Sequence, residues 1–157
     1  MLNDKTNVMR MLDKAKIPYT PNYYSHEDGA IDGISVAHKL NQPLSQVYKT
    51  LVTQGSSKNY YVFVIPVADE LHLKKAAKSV HEKSIAMVKV ADIMKITGYV
   101  RGGCSPIGMR KKYTTTYHLA IQNCKIVMVS GGKIGTQIML NPKDLIDFTL
   151  GNVSDII

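Results

Sequence analysis

A chain of 157 residues, 45% of them hydrophobic, has the length of one domain and the apolar content to fill a core, so residues 1–157 read as a single unit. Its 20 Lys and Arg against 12 Asp and Glu leave a formal charge of +8, which favours an anionic partner and concerns association rather than fold. No run reaches the length of a membrane span, the start lacks a signal peptide's apolar stretch, and Cys104 and Cys124 have neither metal nor redox spacing; the expectation is a cytoplasmic protein with free thiols and no membrane partner.

In chain order, Asn3 can cap a first helix with an apolar stripe of Val8, Met11, Leu12 and Ala15, ended by Pro18 and Pro21. A strand is expected from Asn22 to His26, then a short helix from Ile34 to Leu40 closed by Asn41-Gln42-Pro43. Val47 to Thr53 and Tyr60 to Val67 read as strands joined by the hairpin loop Gly55-Ser56-Ser57-Lys58-Asn59. Asp69 is placed to cap a helix carrying Leu73, Ala76, Ala77 and Val80 on one face. A short strand at Ser84 to Val88 precedes a helix from Ala91 to Thr97, with Gly98 as its stop. Thr114 to Ile121, Lys125 to Val129 and Ile134 to Leu140 read as strands, and Asn141-Pro142 opens a last helix that Gly151 ends. Short strand connections among interleaved helices predict an α/β fold with a mixed, largely antiparallel curved sheet flanked by helices.

Lys49 is the unusual residue. In a strand it shares a face with Val47 and Leu51. It either snorkels from an edge to solvent or aims an ammonium at an anionic partner or a chemical task. Two glycine clusters bear on that choice. The first is Gly98-Tyr99-Val100-Arg101-Gly102-Gly103-Cys104-Ser105-Pro106-Ile107-Gly108; the second is Val127-Met128-Val129-Ser130-Gly131-Gly132-Lys133-Ile134-Gly135. Backbone free of Cβ atoms can converge N–H groups on an oxyanion or make ordinary tight turns, and Gly131-Gly132 between strand-like runs suits a hairpin turn. Neither cluster is a phosphate-loop pattern.

Lys49-Thr50-Leu51, Leu73-Lys74-Lys75-Ala76-Ala77, Thr97-Gly98-Tyr99, the segment Gly102 to Gly108 and Ser130-Gly131-Gly132-Lys133 stand in the order and spacing of the YbaK/EbsC family, and the chain resembles that family from about Ile17 to Asp155. These are freestanding aminoacyl-tRNA deacylases related to the editing domain of bacterial prolyl-tRNA synthetases, and the subgroup resembled is the Cys-tRNA(Pro)/Cys-tRNA(Cys) deacylases. The resemblance implies a mixed β-barrel flanked by helices, mischarged tRNA as substrate, prolyl-tRNA synthetase as a possible partner, and no cofactor or metal. It makes Lys49 the essential lysine, with Gly102 presenting its backbone to the substrate. Tyr24, Ile31, Thr50, Ser130, Gly132 and Gln137 fall at substrate-pocket positions, and Gly103 and Gly131, read from their glycine pairs, are expected to offer backbone N–H groups to the substrate. At Ile31 some members have phenylalanine, and at Gln137 some have aspartate, which puts a carboxylate role there in doubt.

The residues themselves disfavour other chemistries. The histidines at 26, 38, 72, 81 and 118 form no His-x-x-x-His or His-x-His pair. Cys104 sits beside Gly102 and Gly103 but has no histidine near in sequence, so it is read as a packing residue before a nucleophile. What remains is a site that binds and polarises an ester. In the resembled subgroup the thiol of the mischarged cysteine attacks its own carbonyl. Arg110, Lys111 and Lys112 are the first candidates for tRNA phosphates, and Lys74, Lys75 and Lys78 the second. A deacylase for another ester such as alanyl, or a silent module that binds tRNA or a synthetase, are the competing readings.

Overall fold

The structure, a computed structural model, describes residues 4–157. Helix α1 spans Asn7–Lys14 and is capped by Thr6, whose hydroxyl accepts the Met9 N–H; Asn3 lies outside the described residues. Strand β1 is Tyr19–Tyr23, earlier than the expected Asn22 to His26, and contains Pro21. Proline is tolerated there because β1 is an edge strand that pairs only with β7 (Thr136–Leu140), Pro21 standing opposite Ile138. Helix α2 is Gly33–Lys39, β2 is Tyr48–Gly55 and β3 is Tyr60–Pro66.

Helix α3, Leu73–Ser79, is capped by His72 rather than Asp69: His72 Nδ1 accepts the Lys75 N–H at 3.3 Å, while Asp69 closes a turn on Pro66 upstream. Then follow β4 (Ile85–Met87), α4 (Val90–Thr97), β5 (Thr114–His118), β6 (Val127–Lys133) and α5 (Pro142–Phe148). The expected strand to Ile121 stops at His118, where a 3-10 turn over Leu119–Asn123 takes the chain away. A last strand, β8 (Asn152–Ser154), has no signal in the sequence, since three residues carry no readable alternation.

Four of the six strand pairs are antiparallel and two are parallel. They form two sheets, β4-β2-β3-β5-β8 and β1-β7-β6, rather than a closed barrel. A single bridge between Val47 and Met128 joins them. The largest core cluster lies between the sheets and α1, with Leu12, Tyr48, Val64, Tyr117, Val129 and Leu145 all buried. A second packs Phe63 and Ile65 of β3 against Ala76 and Ala77 of α3. The C-terminal segment closes this side: Ile156 is buried, and Lys75 Nζ bonds Asp155 and the Ile157 carbonyl. No helix among the described residues is long and apolar enough to cross a membrane.

Candidate functional site

A cavity of about 700 Å³ is lined by both sheets near the Val47–Met128 bridge. Val47, Tyr48, Lys49, Thr50 and Leu51 form one wall, Ser130 and Gln137 another, and Arg101, Gly102 and Cys104 a third. Gly29, Ile31 and the start of α2 close the remaining side. Six of the residues expected at the site, Lys49, Gly102, Ile31, Thr50, Ser130 and Gln137, are thus brought to one cavity.

β2 places Lys49 opposite Ile65 and Thr50 opposite Val64. Lys49 is half-buried and has no ion pair or hydrogen bond among the described residues, whereas Lys5, Lys39, Lys75 and Lys143 are each paired with a carboxylate. The Thr50 hydroxyl beside it is buried and has no partner either. The half-buried Lys49 ammonium is a group that an anionic ligand would satisfy, while the Thr50 hydroxyl, although Thr50 lines the cavity, is closed off from solvent. Gln137, 7% exposed, stands opposite Ser130 across the β6–β7 pair.

Gly102 has φ +87°, and a Cβ there would come within 2.7 Å of Ile31 Cδ1, so the two residues meet at the cavity wall. Its backbone N–H donates to no acceptor among the described residues, while that of Gly103 is spent on the Val100 carbonyl at 3.0 Å. Gly103 is buried with its Cα packed on the backbone of Lys133 and Ile134, and does not line the cavity.

Gly131 and Gly132 do not line it either. They are not the hairpin turn but a bulge in β6, where the register shifts between Ser130 and Lys133; the turn is Ile134-Gly135, with Gly135 at φ +91°. The Gly132 N–H donates to Ser130 Oγ at 3.1 Å, and the Gly131 carbonyl accepts the Thr6 hydroxyl at 2.6 Å. Space for a side chain at Gly132 is filled by Val8 of α1. This cluster anchors a helix and bonds Ser130.

Tyr24 lies behind the wall. It is 8% exposed, its N–H bonds the Gly135 carbonyl, and its hydroxyl is buried without a partner. Lys39 Nζ stands 6.0 Å from its ring centroid and also donates to the Ser25 carbonyl at 2.8 Å, Asp28 Oδ1 at 2.7 Å and the Ala30 carbonyl at 3.0 Å. One ammonium therefore ties to α2 the loop that carries Gly29 and Ile31. The same contact, with the Ala30 N–H, holds the Asp28 carboxyl below its ordinary range.

Cys104 lines the cavity, but burial pushes its thiol up to about 11, against a smaller opposing hydrogen bond from Thr97. It stays a neutral thiol near pH 7, unlike an activated nucleophile. Asp32, the carboxylate in the cavity lining, is committed to capping α2: Ser35 donates to it through both hydroxyl and backbone, which lowers its pKa. Arg101 is exposed at the wall and is among the lining residues missed from sequence, with Gly29, Asp32 and Tyr48, although it stands next to Gly102. Arg110, Lys111 and Lys112 are exposed, as are Lys74 and Lys78 on α3, while Lys75 is bound to Asp155. No group of three or more His, Cys, Asp and Glu side chains that could hold a metal occurs among the described residues.

A model of the aminoacyl-tRNA editing domain family matches residues 30–148. The chain is 40% identical over 152 residues to an Enterococcus faecalis protein named "Putative Cys-tRNA(Pro)/Cys-tRNA(Cys) deacylase EbsC", covering 97% of this chain and 93% of that one. It is 28% identical over 113 residues to a proline–tRNA ligase of Fervidobacterium nodosum, which is 72% of this chain and 18% of the ligase. A crystal structure described as "a putative trans-editing enzyme for prolyl tRNA synthetase" has the same fold, with a TM-score of 0.81 over 98% of both chains at 19% identity.

Proposed function

Because this chain belongs to the aminoacyl-tRNA editing domain family, we propose that it is a trans-editing deacylase that hydrolyses mischarged Cys-tRNA(Pro), and also accepts Cys-tRNA(Cys). The carrying observation is that one cavity is lined by a half-buried ammonium, Lys49, and by Gly102 with its backbone N–H, neither of which has a partner among the described residues. This arrangement can bind and polarise an ester. It contains no activated protein nucleophile, since the one lining cysteine is a high-pKa thiol.

In this reading the aminoacyl group enters the cavity. Lys49 meets the terminal phosphate or the developing oxyanion, and the Gly102 N–H supplies a fixed donor to the same charge. One such donor contributes about 2.7–4 kcal/mol of transition-state stabilisation. The substrate's own sulfur attacks its carbonyl carbon, the ester C–O bond breaks, and the thiol proton ends on the ribose oxygen that leaves. Water then opens the cyclic thioester to free cysteine. The protein's share is positioning, where well-oriented intramolecular attack supplies roughly 7–11 kcal/mol. Ser130 and Gln137 would contact the amino-acid end, with Ile31 closing over it. Tyr24, Gly103, Gly131 and Gly132 would support that pocket from behind.

The site of action is then the cytoplasm, with prolyl-tRNA synthetase as the source of mischarged tRNA. Arg110, Lys111 and Lys112 are proposed to contact tRNA phosphates, with Lys74 and Lys78 second and Lys75 last because it is already paired. Replacing Arg110, Lys111 and Lys112 together would flatten a log–log salt slope of about −0.7 per phosphate neutralised on a single strand. The deciding assay follows amino-acid release from tRNA charged with cysteine, alanine, serine or proline. Preferential release of cysteine supports this reading. Preferential release of alanine makes the protein a different deacylase, and no release from any of the four makes it a binding module.

A further inference from the structure

The residues between β4 and the cavity form a surface that the catalytic reading leaves unused. Val90, Met94 and Val100 are 55%, 45% and 44% exposed, an unusual run of bare apolar side chains in so short a stretch. Val90 and Met94 are four apart on α4 and so lie on one face. Lys89, Lys95 and Arg101 are interleaved with them, all exposed and none in an ion pair among the described residues. The carboxylate within this stretch is Asp92 in the first turn.

One end of the stretch is bonded to β2 next to the cavity and the other enters the cavity wall. The Val88 N–H bonds the Val52 carbonyl, one residue beyond Leu51, and the chain past α4 delivers Arg101 and Gly102 to the cavity. α4, roughly 12 Å long, therefore leads from β2 to the Arg101–Gly102 side of the cavity. A ligand whose reactive end sits at Lys49 and whose body leaves past Arg101 would meet this face.

We propose that the α4 face is the docking track for the single-stranded 3′ end of the tRNA, with unpaired bases resting on Val90 and Met94 and phosphates met by Lys89, Lys95 and Arg101. Apolar side chains interleaved with unpaired cations suit a strand that has both a flat base and a charged backbone. A protein partner would need acidic groups against the same three cations. This inference rests on the reading of the cavity as a deacylation site, but it concerns how the substrate's body is held and not the chemistry.

The test uses a double charge reversal, Lys89→Glu with Lys95→Glu, and separately Met94→Ala. Two substrates are compared: Cys-tRNA, and the cysteinyl ester of adenosine alone, which is too short to reach α4. The double variant should raise KM for Cys-tRNA about tenfold or more and reduce the salt slope by about 0.7 for each phosphate it no longer neutralises. Its kcat, and its hydrolysis of the short ester, should match the parent protein. Met94→Ala should weaken the tRNA substrate without changing the salt slope. Binding of an uncharged RNA minihelix with a single-stranded CCA end, followed by fluorescence anisotropy, reads the same track without turnover; an undiminished affinity in the double variant overturns the proposal. So does a defect that appears only when prolyl-tRNA synthetase is added, which would make α4 a protein-docking face. Failure of the parent protein to cleave either ester would sink the deacylase reading, and the anisotropy result would still decide the track.

Discussion

The two glycine pairs look interchangeable in sequence and do different work in the fold. Gly102-Gly103 follows α4, and Gly102 reaches the cavity with φ at +87° and its N–H without an acceptor among the described residues. Gly131-Gly132 forms the bulge of β6, with one N–H spent on Ser130 Oγ, one carbonyl on Thr6 and its bare face covered by Val8. The first pair leaves a donor for a ligand; the second uses its groups to seat a helix and bond Ser130. A glycine pair thus becomes a candidate anion site only when its N–H groups have no internal acceptor.

The cavity side of this comparison depends first on Lys49. Lys49→Ala should lower kcat/KM roughly 100-fold or more, on the scale of losing an electrostatic anchor of the transition state, with the melting temperature nearly unchanged. Lys49→Arg should not restore activity, because a planar fork does not replace a compact ammonium. Activity near that of the parent in either variant would remove the lysine from the mechanism.

The glycine pairs can be set against each other directly. Gly102→Ala puts a methyl against Ile31 Cδ1, a side-chain end that can shift, and narrows the cavity next to the free N–H. A loss of about 10- to 100-fold in kcat is expected, together with a stability loss of about 1–2 kcal/mol because alanine disfavours the left-handed φ of +87°. Gly132→Ala, at φ +103° and against buried Val8, should cost about 1–3 kcal/mol of stability and leave the kcat of folded protein unchanged. Denaturant unfolding and single-turnover rates on both variants check this. The reverse pattern would mean that the assignments are exchanged.

Lys39→Ala should act through the Gly29–Ile31 wall that faces Gly102. KM should rise severalfold while kcat falls less, and Lys39→Arg should recover part of the loss by re-forming the pair with Asp28. Because Asp28 titrates below its ordinary range, the clamp is complete above about pH 4 and is lost only as pH falls through that lowered value. A neutral-pH inflection in KM that vanishes in Lys39→Ala would contradict this account. The smallest effect is expected at Cys104, whose thiol is held at about 11. Cys104→Ala should keep activity within about threefold, and alkylation of the parent at pH 8 should be slow. A covalent aminoacyl-enzyme that survives denaturation would overturn it.

Much of the cavity is legible in the sequence because its signals are local. Lys49 between Val47 and Leu51 shows alternation with a charge in the wrong place, and Gly98 and Asn141-Pro142 mark helix ends by residue type. The rest depends on tertiary placement. Pro21 hides β1 until the strand is seen at an edge, and His72 displaces Asp69 as a cap because of where the turn after Pro66 ends. Tyr24 and Gly132 fall at pocket positions by resemblance and stand behind the wall in space. Arg101 escapes a sequence reading because an exposed arginine in a glycine-rich loop has no pattern of its own. Sheet closure depends on strand pairing, and a single bridge at Val47 leaves two sheets where the family resemblance implies a barrel.

The central claim is that this cavity positions an ester whose own thiol attacks it. The most direct measurement compares single-turnover release of cysteine, S-methylcysteine and serine from the same tRNA, with binding of each measured alongside. Cysteine and serine have nearly the same shape, so a pocket separates them poorly by size, whereas a thiol ionises near neutral pH and a hydroxyl needs a base. The account predicts rapid release of cysteine and little of the other two, even where the S-methyl ester binds. Equal release of all three would contradict it and assign the attack to a water held near Lys49.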